Sequence, residues 1–536
     1  MPLPDGGKTP WPPKALDDVF ARIDSWDAWY TGEPDHLAEV YGGLGGGRGF
    51  DTTSRARVRN RPSQYRGGVL GRVSRWFWGA PTDAGEVPSR LHMPLAGDIA
   101  QKSTRLLFAE PPRLKIAHAA TQKRLDKQFE SLHASLLEAG ETCAGLGGVY
   151  LRVVWDDTIA PAPWLHAAHA DQAVPEWTWG RLKAVTFWRI LLQDNQRVVR
   201  HLERHEPGVI LHGVYEGTPD TLGKKGSLEA YPDTEDLAER VETGTTRLTV
   251  VYVPNMRPNR VWRNIPAAEP LGRADISGAE TPLDQLDETW TSLMRDLRLG
   301  KGRVFVPDVY LGSNGPGQGA TWNPEREVYA TLNMLPGAGD GSMITASQFD
   351  IRVDEHLGIA RQLTIEILRS AGYSLQSFGL DGEVEATATE VTARERDSGL
   401  TRGHKILYWK PALAEAVLTL QEVDRAQFGA DIVPQEVEVD WPDGVAEDEE
   451  KTARTLQMLH AAEAISIRTR VERLNPDWPK ERVDREVLEI RRDLGMVDAD
   501  PAEDLGAVAA TGAMPRTATG DEPDDEQDDA EDEPTA

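Results

Sequence analysis

Two histidine pairs have spacings that a metal could use: His166 with His169, and His201 with His205. Zinc needs three or four nitrogen, sulfur or carboxylate ligands. Both pairs lie in strand-like or loop-like runs with no matching third ligand, so no metal is expected. The single cysteine, Cys143, excludes an intrachain disulfide and a cysteine-rich zinc site. Its small neighbours, "AGETCAGLGG", mark a packing residue, and one thiol suits a reducing compartment. "GGKT" at 6–9 ends like a phosphate-binding loop, but the pattern requires glycine at position 2, where Pro2 stands, and no strand precedes it. "GGLGGGRG" fails G-x-G-x-x-G because the last position falls on Arg48. Asp440 and Asp443 flank "WP" like a paired-acid site and read better as a strand-end turn. No nucleophile can be matched to a histidine. Neither a cofactor nor a catalytic residue is expected.

A different chemistry is suggested by "LQSFGLDGEVEATATEV", Leu375 to Val391, which has Asp381, Glu383 and Glu385 but no Lys or Arg. Lys and Arg bind duplex DNA by releasing phosphate counterions. An acidic segment offers no such affinity. Gly379 and Gly382 permit varied backbone angles, and Leu380 and Val384 offer apolar surface without hydrogen bonds. The plainer reading is a solvated link between two helices.

The 536 residues are 39% hydrophobic and 27% charged, with a formal net charge of -28. The length suits two or more domains. Ten acids and no base occupy Asp521–Glu533, a composition expected to stay disordered. The acidic balance argues against non-specific adhesion to DNA or membranes. No run of about 18 apolar residues would span a bilayer, and "MPLPDGGKTPWPPK" lacks a secretory signal pattern. Sixteen Trp, several in polar company (Trp26, Trp29, Trp164, Trp177, Trp179), suit either subunit contacts or an aromatic core.

The elements that would position these residues follow from periodicity. Helices are expected around 16–30, after Pro94 to Phe108, and over 121–140. "GGVYLRVVWDD" (147–157) begins a strand-rich stretch to about 263, so residues 1–265 read as one α+β domain. Thr281 caps a helix to Gly300 with Leu283, Leu286, Trp290, Leu293 and Leu297 on one stripe. "GRVFVPDVYLG" (302–312) and "REVYATLNML" (326–335) look like strands about a glycine-rich turn. Leu357, Leu363 and Ile367 share a stripe over 353–372. A capping box, Thr387-x-x-Glu390, starts a long helix to about Phe428 that Pro411 should kink. A strand at 437–444 and two or three helices over 446–494 follow, one capped by Ser466.

This collinear series resembles the portal protein of tailed double-stranded-DNA bacteriophages, in particular long-tailed, actinobacteriophage-like ones. The likeness is carried by "PSRLHMPLAGDIAQKSTRLLFAEPP", "AGETCAGLGGVYLRVVWD", "DEHLGIARQLTIEILRSAGYSLQSFGL", "ATATEVTARERDSGLTRGHKILYW" and "VEVDWPDG" with "AAEAISIRTRVERL", and spans roughly residues 15 to 495. It implies an N-terminal α/β wing over 1–265, a first stem helix in 266–300, and a small β-rich clip over 301–350. A second stem helix over 351–373, a tunnel loop over 374–387, a long kinked wing helix and strand over 388–440 and a helical crown over 441–496 follow, with the acidic tail at 497–536. Phe378, Gly379, Leu380, Asp381, Gly382, Glu383, Val384 and Glu385 would then line the channel, and Phe305, Val306, Tyr310, Trp322 and Tyr329 would dock the adaptor. The implied protein is a non-enzymatic virion subunit of the portal vertex, assembled in the host cytoplasm. Its homo-oligomeric ring, dodecameric in the virion, would conduct DNA during packaging and ejection. Its partners would be the terminase large subunit, the major capsid protein and scaffold, and the head–tail adaptor, with no membrane. The rival readings are a hydrolase-like soluble enzyme using the histidine pairs and another helix-rich virion scaffold protein.

Overall fold

The computed structural model describes residues 3–42, 91–194, 196–299, 303–305, 345–347, 352–380, 396–442, 449–462, 464–475 and 478–495. The chain opens with β1 (Gly7–Pro10), α1 (Asp17–Thr31), α2 (Pro34–Gly42), α3 (Leu95–Phe108), β2 (Arg113–Lys115) and α4 (Ala119–Leu146). Nine strands follow: β3 (Gly148–Val154), β4 (Trp164–His169), β5 (Ala173–Thr178), β6 (Arg181–Gln193), β7 (Val198–Glu206), β8 (Val209–Thr218), β9 (Thr221–Gly226), β10 (Arg240–Glu242) and β11 (Val250–Pro254). The rest comprises α5 (Glu280–Leu299), β12 (Arg303–Phe305), β13 (Thr345–Ser347), α6 (Val353–Ala371), α7 (Arg396–Phe428), β14 (Glu438–Asp440), α8 (Glu449–Ala461), α9 (Ile467–Leu474) and α10 (Lys480–Asp493). The class is α+β, with antiparallel strand pairs throughout these sheets.

Local rules explain several elements. In α1, Val19, Phe20, Ile23, Trp26 and Trp29 fall at helical spacing and are all buried, and Gly32 at φ 68° ends the helix. Trp26 and Trp29 therefore belong to this protomer's own core, whereas Trp179 is exposed. Helix α4 runs six residues past the expected end at 140. The extension contains Gly145, and Gly140 sits at the expected stop. A side chain at Gly140 would collide with Thr104 and Phe108 of α3. Close packing of the two helices thus outweighs the roughly 1 kcal/mol propensity penalty of glycine. Pro411 lies inside α7 without ending it. The carbonyl that loses its partner belongs to Leu407, which is exposed, so water can take that bond.

Contacts divide the chain into two compact units, Met1–Gly444 and Val445–Ala536. In the first, a seven-stranded sheet runs β1-β9-β8-β7-β6-β5 with β10 on β8, and a three-stranded sheet runs β11-β3-β4. One apolar cluster joins α1, α3, the large sheet and the helices α5 and α6 through Trp26, Ile99, Leu286 and Ile367. A second joins α4, the small sheet and α7 through Leu136, Cys143, Val149 and Leu413. Residues 1–265 thus complete their core only with α7, which shows why that helix is buried nearly all round after Pro411. Strand β14 returns to pair with β2. In the second unit Val471, Val483 and Val487 form a small core of their own, and Ser466 caps α9 as expected.

The expected clip is described only at its edges. Arg303–Phe305 pairs antiparallel with Thr345–Ser347, while Val306, Tyr310, Trp322, Tyr329 and the run 326–335 lie outside the described residues. Among the described residues no helix is long and apolar enough to cross a membrane.

Candidate channel segment and its anchors

Helices α5 and α6 pack side by side. Leu286 and Ile367 share one buried cluster, while His356 meets Asp296 at 3.3 Å toward the other end, so the pair is antiparallel. The stripe read from periodicity is graded along it. Leu283, Leu286, Leu293 and Ile367 are buried, and Trp290 and Leu363 are half-buried. Leu297 is 40% exposed and Leu357 43%, with Val353 and Ile359 exposed beside them. The root of the pair is core, and its far end carries uncovered apolar surface.

The acidic segment starts where α6 ends at that root. Gly372 closes the helix at φ 85°, where its carbonyl accepts from Thr401 Oγ1 at 2.5 Å. A side chain there would be strained and would meet the Thr401 hydroxyl. Two residues on, the Ser374 N–H donates to Ser398 Oγ at 2.9 Å, and Ser377 Oγ lies 2.8 Å from the same oxygen. Residues 374–377 and 398 are therefore held together by hydroxyls, and the chain between them must leave and return at one place. Of the eight residues expected in the channel, Phe378, Gly379 and Leu380 are described. Phe378 packs against the core and meets Tyr373 edge-on at 6.2 Å, so it serves as an anchor. Gly379 has φ 68° with open space around it, and Leu380 is 44% exposed. Asp381, Gly382, Glu383, Val384 and Glu385 lie outside the described residues.

Sequence reasoning missed the group that fixes both ends. Lys405, in the first half of α7, is 2% exposed and donates to both Asp275 oxygens at 2.8 and 2.7 Å and to Ser103 of α3 at 2.5 Å. Tyr373, just after α6, donates its hydroxyl to Asp275 at 2.8 Å, and Asn255 donates at 2.7 Å. Burial, then the Asp275 charge, raises the Tyr373 hydroxyl well above its ordinary pKa, so it stays a donor. The two chain ends that flank the acidic segment thus meet on one carboxylate. These partners lie 98 and 130 residues from Asp275, so no local pattern could show them.

The structure also brings the histidine pairs together. His201, His205 and Glu203 share one face of β7, and His212 of β8 stands opposite Glu203. Arg152 of β3 and His166 of β4 approach from the small sheet, and all six line a cavity of about 700 Å3. His205 donates from Nε2 to Glu203 at 2.7 Å, which leaves Nδ1 to accept from Thr249 Oγ1 at 2.7 Å. Arg189 donates to His201 Nδ1 at 3.4 Å, so His201 Nε2 carries the proton given to His212 Nδ1 at 3.2 Å. Each ring is thereby assigned a neutral tautomer by its neighbours. Burial, then the neighbouring His212, lowers His201 to about 4. Burial also lowers His205 and His212. Burial alone would raise the Glu203 carboxyl, but His205 and Arg152 hold it below the carboxylate range.

Thr249, His205 and Glu203 have the connectivity of a nucleophile, base and orienting acid. Thr249 is 0% exposed and does not line the cavity, so no substrate reaches its hydroxyl in this fold. Among the described residues no group of three His, Cys, Asp or Glu is arranged to hold a metal ion. Cys143 is buried against the Val253 carbonyl, and burial raises its thiol, which fits a packing role.

No protein-family model matches the chain, and no curated protein matches it. Among solved structures it is similar to a chain in the neck of an empty GTA particle computed with C6 symmetry, at 14% identity and a TM-score of 0.41, covering 74% of this chain and 94% of that one. It is also similar to a chain in the neck of a native GTA particle computed with C12 symmetry, at 12% identity and a TM-score of 0.39, covering 77% and 99%.

Proposed function

We propose that this chain is the portal subunit of a tailed-phage-type particle, a non-enzymatic ring protein that guides duplex DNA past acidic loops. The observation that carries it is at the end of α6, where an acidic segment departs and returns at one hydroxyl cluster braced by Lys405 and Asp275. A plain linker between helices needs no such double anchor. In a ring, each copy would set Asp381, Glu383 and Glu385 around the bore, and like charge would keep the phosphate backbone from binding. The bare end of the α5–α6 pair, with Leu297, Leu357 and Ile359 exposed, supports subunit contact along a stem.

On this reading residues 301–350 dock the terminase and later the adaptor, α7 is the long wing helix, and 441–496 form the crown. The test is a purified full-length chain by native mass and negative stain, with a ring of about a dozen copies expected. Changing Asp381, Glu383 and Glu385 together to Lys should leave the ring intact and reduce packaged or retained DNA at least tenfold. Packaging at the unmodified level would remove the loop's role, and a stable monomer would overturn the ring.

A further inference from the structure

The hairpin joining β5 to β6 turns on Trp179 and Gly180, with φ of 51° and 75°. Among the described residues Trp179 is the non-glycine at positive φ. Two central residues of positive φ suit the twist of a two-residue hairpin, and Asn-Gly or Gly-Gly meets that need at least cost. A bulky aromatic held there costs on the order of 1–3 kcal/mol. Among the described residues nothing offsets it, because Trp179 is 99% exposed. Tryptophan is also the residue type most enriched where a single side chain anchors a protein contact.

The same molecule carries a receptor of matching chemistry. The mouth of the 700 Å3 cavity presents Ile159, 73% exposed, beside half-buried Trp155 and Trp164. Its rim bears the exposed acids Glu138, Asp233 and Asp236. Beside Trp179, Arg181 and Lys183 are exposed on one face of β6 and make no ion pair among the described residues. Knob and receptor cannot meet within one chain. Phe187, the first residue of β6 to line the cavity, lies eight residues from Trp179, roughly 26 Å away at the rise of an extended strand.

We propose that Trp179 of one copy seats in this cavity of the next, with Arg181 and Lys183 against the acidic rim. The contact joins two different patches, so it is head-to-tail and closes into a ring where the rotation permits. It rests on the ring reading for that closure.

The test compares assembly and protomer stability in the full chain. Trp179→Gly removes the knob and relieves the backbone. The ring should dissociate at a concentration at least tenfold higher, while the thermal midpoint of the dissociated protomer rises. A merely structural tryptophan would not move the two readouts in opposite directions. Arg181→Glu with Lys183→Glu should weaken assembly, as should Asp233→Lys with Asp236→Lys, and combining all four should restore it to within about threefold. An intact ring in the Trp179→Gly variant, or no restoration in the combined variant, overturns the contact while the ring reading stands. A monomeric unmodified chain overturns both.

Discussion

Asp275 and Glu203 are both carboxylates inside the first unit, and each meets a cation, Lys405 at 2.7 Å and Arg152 at 2.8 Å. Their surroundings differ. Around Asp275 a buried charge faces a buried charge, and Tyr373 and Asn255 occupy the remaining acceptor positions. Around Glu203 the other polar groups are histidines held neutral by one another and by Arg189. The first cluster ties helices that flank the acidic segment. The second fills the space between two sheets and opens to a cavity. A matched ion pair gives a fixed joint, whereas a chain of neutral imidazoles depends on which protons are present.

The largest effect should come from breaking the fixed joint. Lys405→Met leaves Asp275 charged and unpaired, and should reduce stability by about 3–5 kcal/mol in urea unfolding. Adding Asp275→Leu should recover most of that loss, because an apolar pair no longer strands a charge. Failure to recover would mean that Tyr373 and Asn255 depend on the carboxylate more than Lys405 does.

The soft cluster should yield to acid instead. The folded His201 lies near 4 against an ordinary 6.5. The unfolded chain therefore binds the extra proton first as pH falls. The stability contribution is complete above pH 6.5 and is lost between 6.5 and 4, at most about 3 kcal/mol from this ring. His205 and His212 are lowered too and act with the same sign. A titration of the urea midpoint should show the slope, and His201→Phe with His212→Phe should flatten it. An equal slope in that variant would place the acid response elsewhere.

The smallest effect should separate anchor from joint. Ser398→Ala removes the acceptor for the Ser374 N–H and should cost about 1–2 kcal/mol. Hydrogen exchange should rise at residues 374–380 and stay unchanged around Asp275. Faster exchange at both places would make the hydroxyls and the ion pair one cooperative unit.

Much of the helical framework was legible because its causes are local. The stripes Leu283–Leu293 and Leu363–Ile367, the Gly372 stop and the Ser466 cap all appear where periodicity and capping place them. Helix α4 runs past 140 because Gly140 admits close packing on α3, a tertiary contact that periodicity does not report. The histidine cluster was half legible. His201, Glu203 and His205 alternate on one strand, a period-two signal, but His212 joins them through the β7–β8 register, and Arg152 and His166, paired across β3 and β4, come from a separate sheet packed against β7. The exposure of Trp179 and the burial of Trp26 and Trp29 could not be told apart from the polar company all three keep.

The sequence by itself determined the main amphipathic helices, the acidic character of Asp381–Glu385 and the impossibility of an intrachain disulfide, because those depend on composition and near neighbours. Tertiary structure decided that Lys405 and Tyr373 would converge on Asp275, that Thr249 would be sealed from solvent, and that Trp179 would stand bare on a strained turn. Burial and ion pairing join residues distant in the chain, and only the folded packing fixes which of them share a dry interior.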